Sequence, residues 1–113
     1  MVGIIPAIYK SKEHVERHTF ESKKQIIEVK DQYKVKIDEV DSNGIINQQT
    51  IVAYSENAGL VDKLNNLVMY QKVIFIVDIV YYRGQLNKVV IIDVVDSDNE
   101  KETISNIFKR YEK

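Results

Sequence analysis

The chain has no cysteine and no tryptophan, a single proline, and four glycines that stand apart from one another. Each scarcity removes a class of function. Without cysteine there is no disulfide, no thiol nucleophile and no thiolate-zinc site. Gly3, Gly44, Gly59 and Gly84 are too scattered to form a loop that cradles phosphate. No stretch reaches the roughly 18 apolar residues expected of a membrane-spanning helix. The start, "MVGIIPAIYKSK", lacks the basic segment and long apolar segment of a signal peptide. A cytoplasmic protein with no membrane partner is the expectation.

An excess of either charge is missing too. Sixteen Lys and Arg face 17 Asp and Glu, a formal net charge of −1. Nucleic-acid binders are often basic, because neutralising phosphates supplies most of their affinity. The balance counts against that role unless the charge is segregated, and mildly it is. Residues 10–36 are rich in Lys and Arg, whereas Asp93, Asp96, Asp98, Glu100 and Glu102 crowd the tail.

With 113 residues and 44% hydrophobic content, the chain suits one domain, residues 1–113, with a core of its own. From residue 23 onward it reads mostly as strand. "QIIEV" (25–29) is rich in β-branched residues. "YKVKIDEV" (33–40) alternates, with Tyr33, Val35 and Ile37 on one face and Lys34, Lys36 and Asp38 on the other. "DSNG" (41–44) signals a tight turn, and "IINQQTIVAYS" (45–55) supplies the next strand. The period then changes. Leu60, Val61, Leu64, Leu67 and Val68 fall at helical spacing, a helix of about three turns with Ser55 or Asn57 as its cap.

"KVIFIVDIVYYRGQLNKVVIIDVVD" (72–96) is a hairpin apolar on both faces, so its first strand is central or covered on both sides. Ile104, Ile107, Phe108 and Tyr111 predict a short C-terminal helix over about 100–112. The first 22 residues carry the weakest pattern. "GIIPAIY" suits an edge strand that tolerates Pro6.

The order strand, strand, strand, helix, strand, strand resembles the OB-fold, a five-stranded barrel with a helix between its third and fourth strands. "YKVKIDEVDSNGIINQQTIVAYSE" looks like the strand–turn–strand of OB-fold nucleic-acid binders, and residues 60–96 are similar to their closing helix and hairpin. The resemblance covers about residues 24–96, which would form the barrel core of a mainly β protein. The chain departs from the pattern at "MYQKV", where a small residue usually leads into the fourth strand. Among OB-fold proteins, the likeness is to small single-stranded-DNA-binding proteins of phages and mobile elements, which serve replication or recombination.

The resemblance implies binding of single-stranded nucleic acid, DNA before RNA, without cofactor or metal. Lysines and an arginine would track phosphates while tyrosine rings stack on bases. The expected binding residues are Lys34, Lys36, Tyr54, Tyr81, Tyr82, Arg83 and Lys88. The plainer alternative for each is a solvated strand residue, and one of the adjacent tyrosines must face inward. His14 and His18 lie four apart, but "HVERH" is not His-Glu-x-x-His and offers no third ligand, so both read as exposed polar positions. No nucleophile–base pair is evident, and no enzyme activity is expected. The rival reading is a protein–protein adaptor or homodimer that docks through a surplus apolar strand face and the C-terminal helix.

Overall fold

A computed structural model describes residues 1–96, without the side chains of Tyr82, Asn87 and Asp96. Its elements run β1 (Val2–Val15), β2 (His18–Ser22), β3 (Gln25–Val29), β4 (Gln32–Asp41), β5 (Gly44–Tyr54), α1 (Ala58–Asn65), β6 (Lys72–Tyr82) and β7 (Gln85–Asp96). The C-terminal helix expected over 100–112 lies outside the described residues.

Five strands close into a barrel in the order β1-β4-β5-β7-β6. All neighbours are antiparallel except β5 and β7, which meet in parallel at Val52 and Val90. Closure depends on β1. Its first half pairs with β6, from Val2 opposite Asp78 to Ile8 opposite Lys72, and its second half pairs with β4, from Ala7 opposite Glu39 to Val15 opposite Gln32.

This corrects two expectations. "GIIPAIY" lies within the strand that shuts the barrel, where Ile5, Ala7 and Tyr9 face the core. Pro6 precedes the stretch bonded to β4, so it sits where β1 has a partner on one side alone, and its missing N–H is tolerated there. Conversely, "QIIEV" forms β3, which pairs with β2 alone in a separate two-stranded arm. The barrel therefore begins at Val2 and not near residue 24.

The interior follows strand alternation. Val35 and Ile37 of β4, Ile51 and Ala53 of β5, Val73, Phe75 and Val77 of β6, and Ile91 and Val94 of β7 form one cluster. Leu60 and Leu64 of α1 join it. Each fully buried aliphatic or aromatic side chain contributes roughly 1.5–3 kcal/mol relative to exposure. On the opposite face of β6, Ile74 and Ile76 are also fully buried, as the doubly apolar hairpin led one to expect.

The helix is shorter than its apolar spacing suggests. Asn57 caps its start, accepting from the Leu60 N–H at 3.2 Å, and the helix stops at Asn65. Leu67 still packs against the core, but from a turn. Lys63 sits in the last turn, where a cation suits the helix dipole, and reaches Asp93 of β7 at 2.6 Å.

Turn chemistry matches the hairpins unevenly. Gly44 and Gly84 take positive φ at the β4–β5 and β6–β7 turns, as glycine readily does. The β2–β3 turn instead places Lys23 and Lys24 at φ of 50° and 64°. Such conformations cost non-glycine residues roughly 1–2 kcal/mol each. A lone two-stranded hairpin is marginal in water, so the arm is the least stable part of the described structure.

Replacing Phe75, 0% exposed at the centre of β6, tests the packing. Phe75→Ala should lower the unfolding free energy by about 3–5 kcal/mol in a denaturant titration. Ile26→Ser, on the arm, should change it by less than about 0.5 kcal/mol.

Candidate functional site

Alternation along β4 sends Val35 and Ile37 inward and so turns Lys34 and Lys36 outward. Across the ladder, Lys34 pairs with Val52 and Lys36 with Thr50, so the outer face of β4 and β5 presents these side chains together. Tyr54 ends β5 on the same face, opposite Gln32. Among the described residues the side chains of Lys34 and Lys36 have no ion-pair or hydrogen-bond partner.

A bulge in β1 completes this face. Tyr9 pairs with Ile37 and Ser11 with Lys36, which leaves Lys10 as an extra residue. The parity of β1 flips there: Tyr9 points into the core, whereas Ser11 and Glu13 lie beside Lys36 and Lys34 on the outside. Lys10 reaches Asp38 at 3.4 Å.

Depressions adjoin one another along this surface. One, of about 440 Å³, is lined by Lys10, Lys36, Asp38, Gln48, Thr50, Met69 and Tyr70 among others. The next shares Ser11, Lys36 and Thr50 with it and continues to Lys34 and Val52. A third lies beyond, at Tyr54, Lys30 and Asp31, with Arg17 and Glu28 of the arm region. The first two form a shallow groove along the outer face of β4 and β5, and the third is a separate depression at the Tyr54 end of that face.

Around Tyr54 the groove has a distinct chemistry. Lys88 Nζ donates to the Tyr54 hydroxyl at 2.6 Å and stands 5.3 Å from the ring centroid. Lys30 Nζ lies 5.6 Å from the same centroid. One ammonium, that of Lys30, thus lies by the partly exposed phenol ring, while that of Lys88 caps its hydroxyl edge.

The expected residues divide. Lys34, Lys36, Tyr54 and Lys88 share the outer face. Tyr81 does not join them: it pairs with Leu86 on the opposite parity, 52% exposed at the far tip of the hairpin. Arg83 occupies the β6–β7 turn at φ 51°, and Tyr82 is opposite Gln85 at the last rung, its side chain outside those described. Lys10, Lys30 and Tyr70 were not singled out from sequence. Lys10 is displaced by a bulge that no pattern announces, and Lys30 and Tyr70 lie between strands, where alternation says nothing. The signal nearest to Tyr70 was the departure at "MYQKV".

The histidines separate. His18 Nδ1 contacts the Glu16 carbonyl at 2.9 Å, and His14 Nε2 lies 2.7 Å from Asp31 Oδ1 with its ring 4.9 Å from Tyr33. Asp31 also accepts from the Ser55 hydroxyl, and its own carbonyl accepts from the Ser55 N–H at 3.2 Å. One carboxylate therefore ties the end of β1 and the start of α1's approach to the entry of β4. Hydrogen bonds from Ser55 and then His14 hold its pKa below the ordinary carboxylate value.

No family model, curated protein or solved structure matches the chain. The functional reading consequently rests on the groove.

The Asp31 clasp has a pH signature. Because the folded pKa is depressed, the ionised carboxylate favours the folded state above the unfolded pKa of about 4, and the benefit is lost as pH falls through the folded value. Asp31→Asn should melt at a lower temperature than the parent at pH 7, with the gap closing on acidification below about pH 4. A gap that stays constant in thermal melts across that range would contradict the assignment.

Proposed function

We propose that the protein binds single-stranded nucleic acid, DNA before RNA, along the outer face of β4 and β5, as a non-enzymatic OB-type module. The observation that carries the reading is the placing of Lys34, Lys36 and Tyr54 on one outer face of β4 and β5, with Lys30 and Lys88 against Tyr54. Support for the OB type comes from the strand order, the helix between the third and fourth barrel strands, and the parallel β5–β7 contact. In that fold the second and third barrel strands, here β4 and β5, carry the nucleic-acid face.

Magnitudes favour exchange of ligands on Tyr54. An exposed cation–π contact contributes about 0.5–1 kcal/mol, whereas a stacked base contributes about 1–3 kcal/mol. A base displaces the Lys30 ammonium from the ring, Lys88 stays at the hydroxyl edge, and both are then placed to meet the flanking phosphates. The formal net charge of −1 is small, and screening limits the reach of exposed charges to about 10 Å at 0.1 M salt. Glu13, Glu28, Asp31 and Glu56 line the same depressions and Asp38 is engaged by Lys10, so the local field is moderate and the affinity salt-sensitive.

A labelled oligonucleotide titrated at several salt concentrations tests the proposal. Lys34→Ala and Lys36→Ala should each lower the slope of log affinity against log salt by roughly 0.7. Tyr54→Ala should weaken binding by about 1–3 kcal/mol, while Tyr54→Phe, which keeps the ring, should retain most of it. Absence of binding at low salt and tens of micromolar protein would end the proposal.

A second reading, self-association through the arm, is favoured by one observation. Phe20 and Ile27 face each other across β2–β3 at 46% and 39% exposure, with Ile26 at 80%. Such side chains on a hairpin with two open edges invite a second copy. In sedimentation velocity, Phe20→Ser with Ile27→Ser should convert a dimer to a monomer. A parent protein that is monomeric at high concentration would dismiss this reading.

A further inference from the structure

We infer that Tyr70, in the loop between α1 and β6, is a second base-stacking position at the opposite end of the groove from Tyr54, so that the ligand is an oligonucleotide spanning both rings. The inference rests on the nucleic-acid reading above and extends it to a length requirement.

Tyr70 is held in an uncommon state. Its φ is 70°, in the left-handed region that glycine or asparagine adopts more readily, and its side chain is 65% exposed. The backbone around it is fastened. The Tyr70 N–H donates to the Tyr9 carbonyl at 2.7 Å, and the Tyr9 N–H donates to the Gln71 carbonyl at 2.9 Å. Gln71 closes the turn twice, its N–H donating to the Val68 carbonyl at 3.0 Å and its Oε1 accepting from the Val68 N–H at 3.0 Å. The backbone that carries the ring is thus fixed by these bonds, while the residue buries little of its surface. Core packing does not explain a tyrosine there.

Its surroundings repeat the chemistry of the Tyr54 end. Lys10 Nζ lies 5.4 Å from the Tyr70 centroid, steadied by the buried Asp38. The depression that Tyr70 and Met69 border includes Lys36 and Thr50, which also line the next stretch of groove toward Val52. From Thr50 to Tyr54 is four residues of strand, about 13 Å. The two tyrosines therefore bracket a row of lysines, and a single base cannot touch both.

Direct comparison of a short and a long oligothymidylate, about 4 and about 12 nucleotides, tests this by fluorescence anisotropy at low salt. Tyr70→Ala should weaken binding of the long oligonucleotide roughly tenfold, change the short one less than about twofold, and be rescued by Tyr70→Phe. Tyr70→Gly, which accepts the positive φ, should behave like Tyr70→Ala and exclude a folding defect as the cause. Equal losses at both lengths, or no loss with the long oligonucleotide, would overturn the second position while leaving the groove. Parent protein that binds neither length would remove the groove itself. Unchanged oligonucleotide binding with loss of self-association would assign the loop to a protein interface instead.

Discussion

The outer face of β4 and β5 is a defined surface because β1 hydrogen-bonds to two neighbours at once. Paired only with β4, it would leave an open sheet whose strands could slide in register. By handing its first half to β6 and its second to β4, it shuts the cylinder and fixes which side of every strand is interior. The bulge at Lys10 falls where this transfer occurs, two residues beyond the last rung with β6. It lets the strand bend and re-aims the side chains that follow. Closure and groove are consequently one problem with one solution.

Polar groups mark the seams of that cylinder. Asp31, Ser55 and His14 join three connections at one end, and Lys63 with Asp93 fixes α1 to β7. The N-terminal ammonium meets Asp78 at 3.0 Å, so the first rung of the β1–β6 ladder is fastened as well. These pairs are partly exposed, and each contributes little alone. Their effect is to hold register while apolar burial supplies the free energy. The arm is different. It has no core behind it and a turn of two lysines at positive φ, and it lies next to the Tyr54 end of the groove through Arg17 and Glu28. Low local stability beside the proposed binding surface would suit an adjustable element.

Much of the barrel was legible from β4 onward, for a physical reason. "YKVKIDEV" alternates without interruption, "DSNG" carries turn chemistry, and the apolar hairpin at 72–96 has few other uses. What escaped was the partner of each strand. "QIIEV" is a strand by propensity, but propensity does not say whether its neighbour is the barrel or β2. "GIIPAIYKSKEHV" hid a strand of 14 residues, because Pro6 suggested an edge and the bulge at Lys10 broke the alternation halfway. The same logic separates the site residues. Lys34, Lys36 and Tyr54 lie on strands with one polar face and could be assigned a side by counting, whereas Tyr81 required knowing which of the two apolar faces of β6 is interior. Tyr70 depends on a loop conformation that only the fold imposes.

The proposed function requires that the β4–β5 face, and not the arm or the β6–β7 tip, receives the ligand. Backbone amide shifts of isotope-labelled protein on addition of an oligothymidylate test it most directly. The expected pattern is a continuous track of perturbed amides through Lys34, Lys36, Thr50, Val52 and Tyr54, with the core strand β6 unaffected. Perturbations confined to residues 18–29, or none at saturating oligonucleotide, would contradict it.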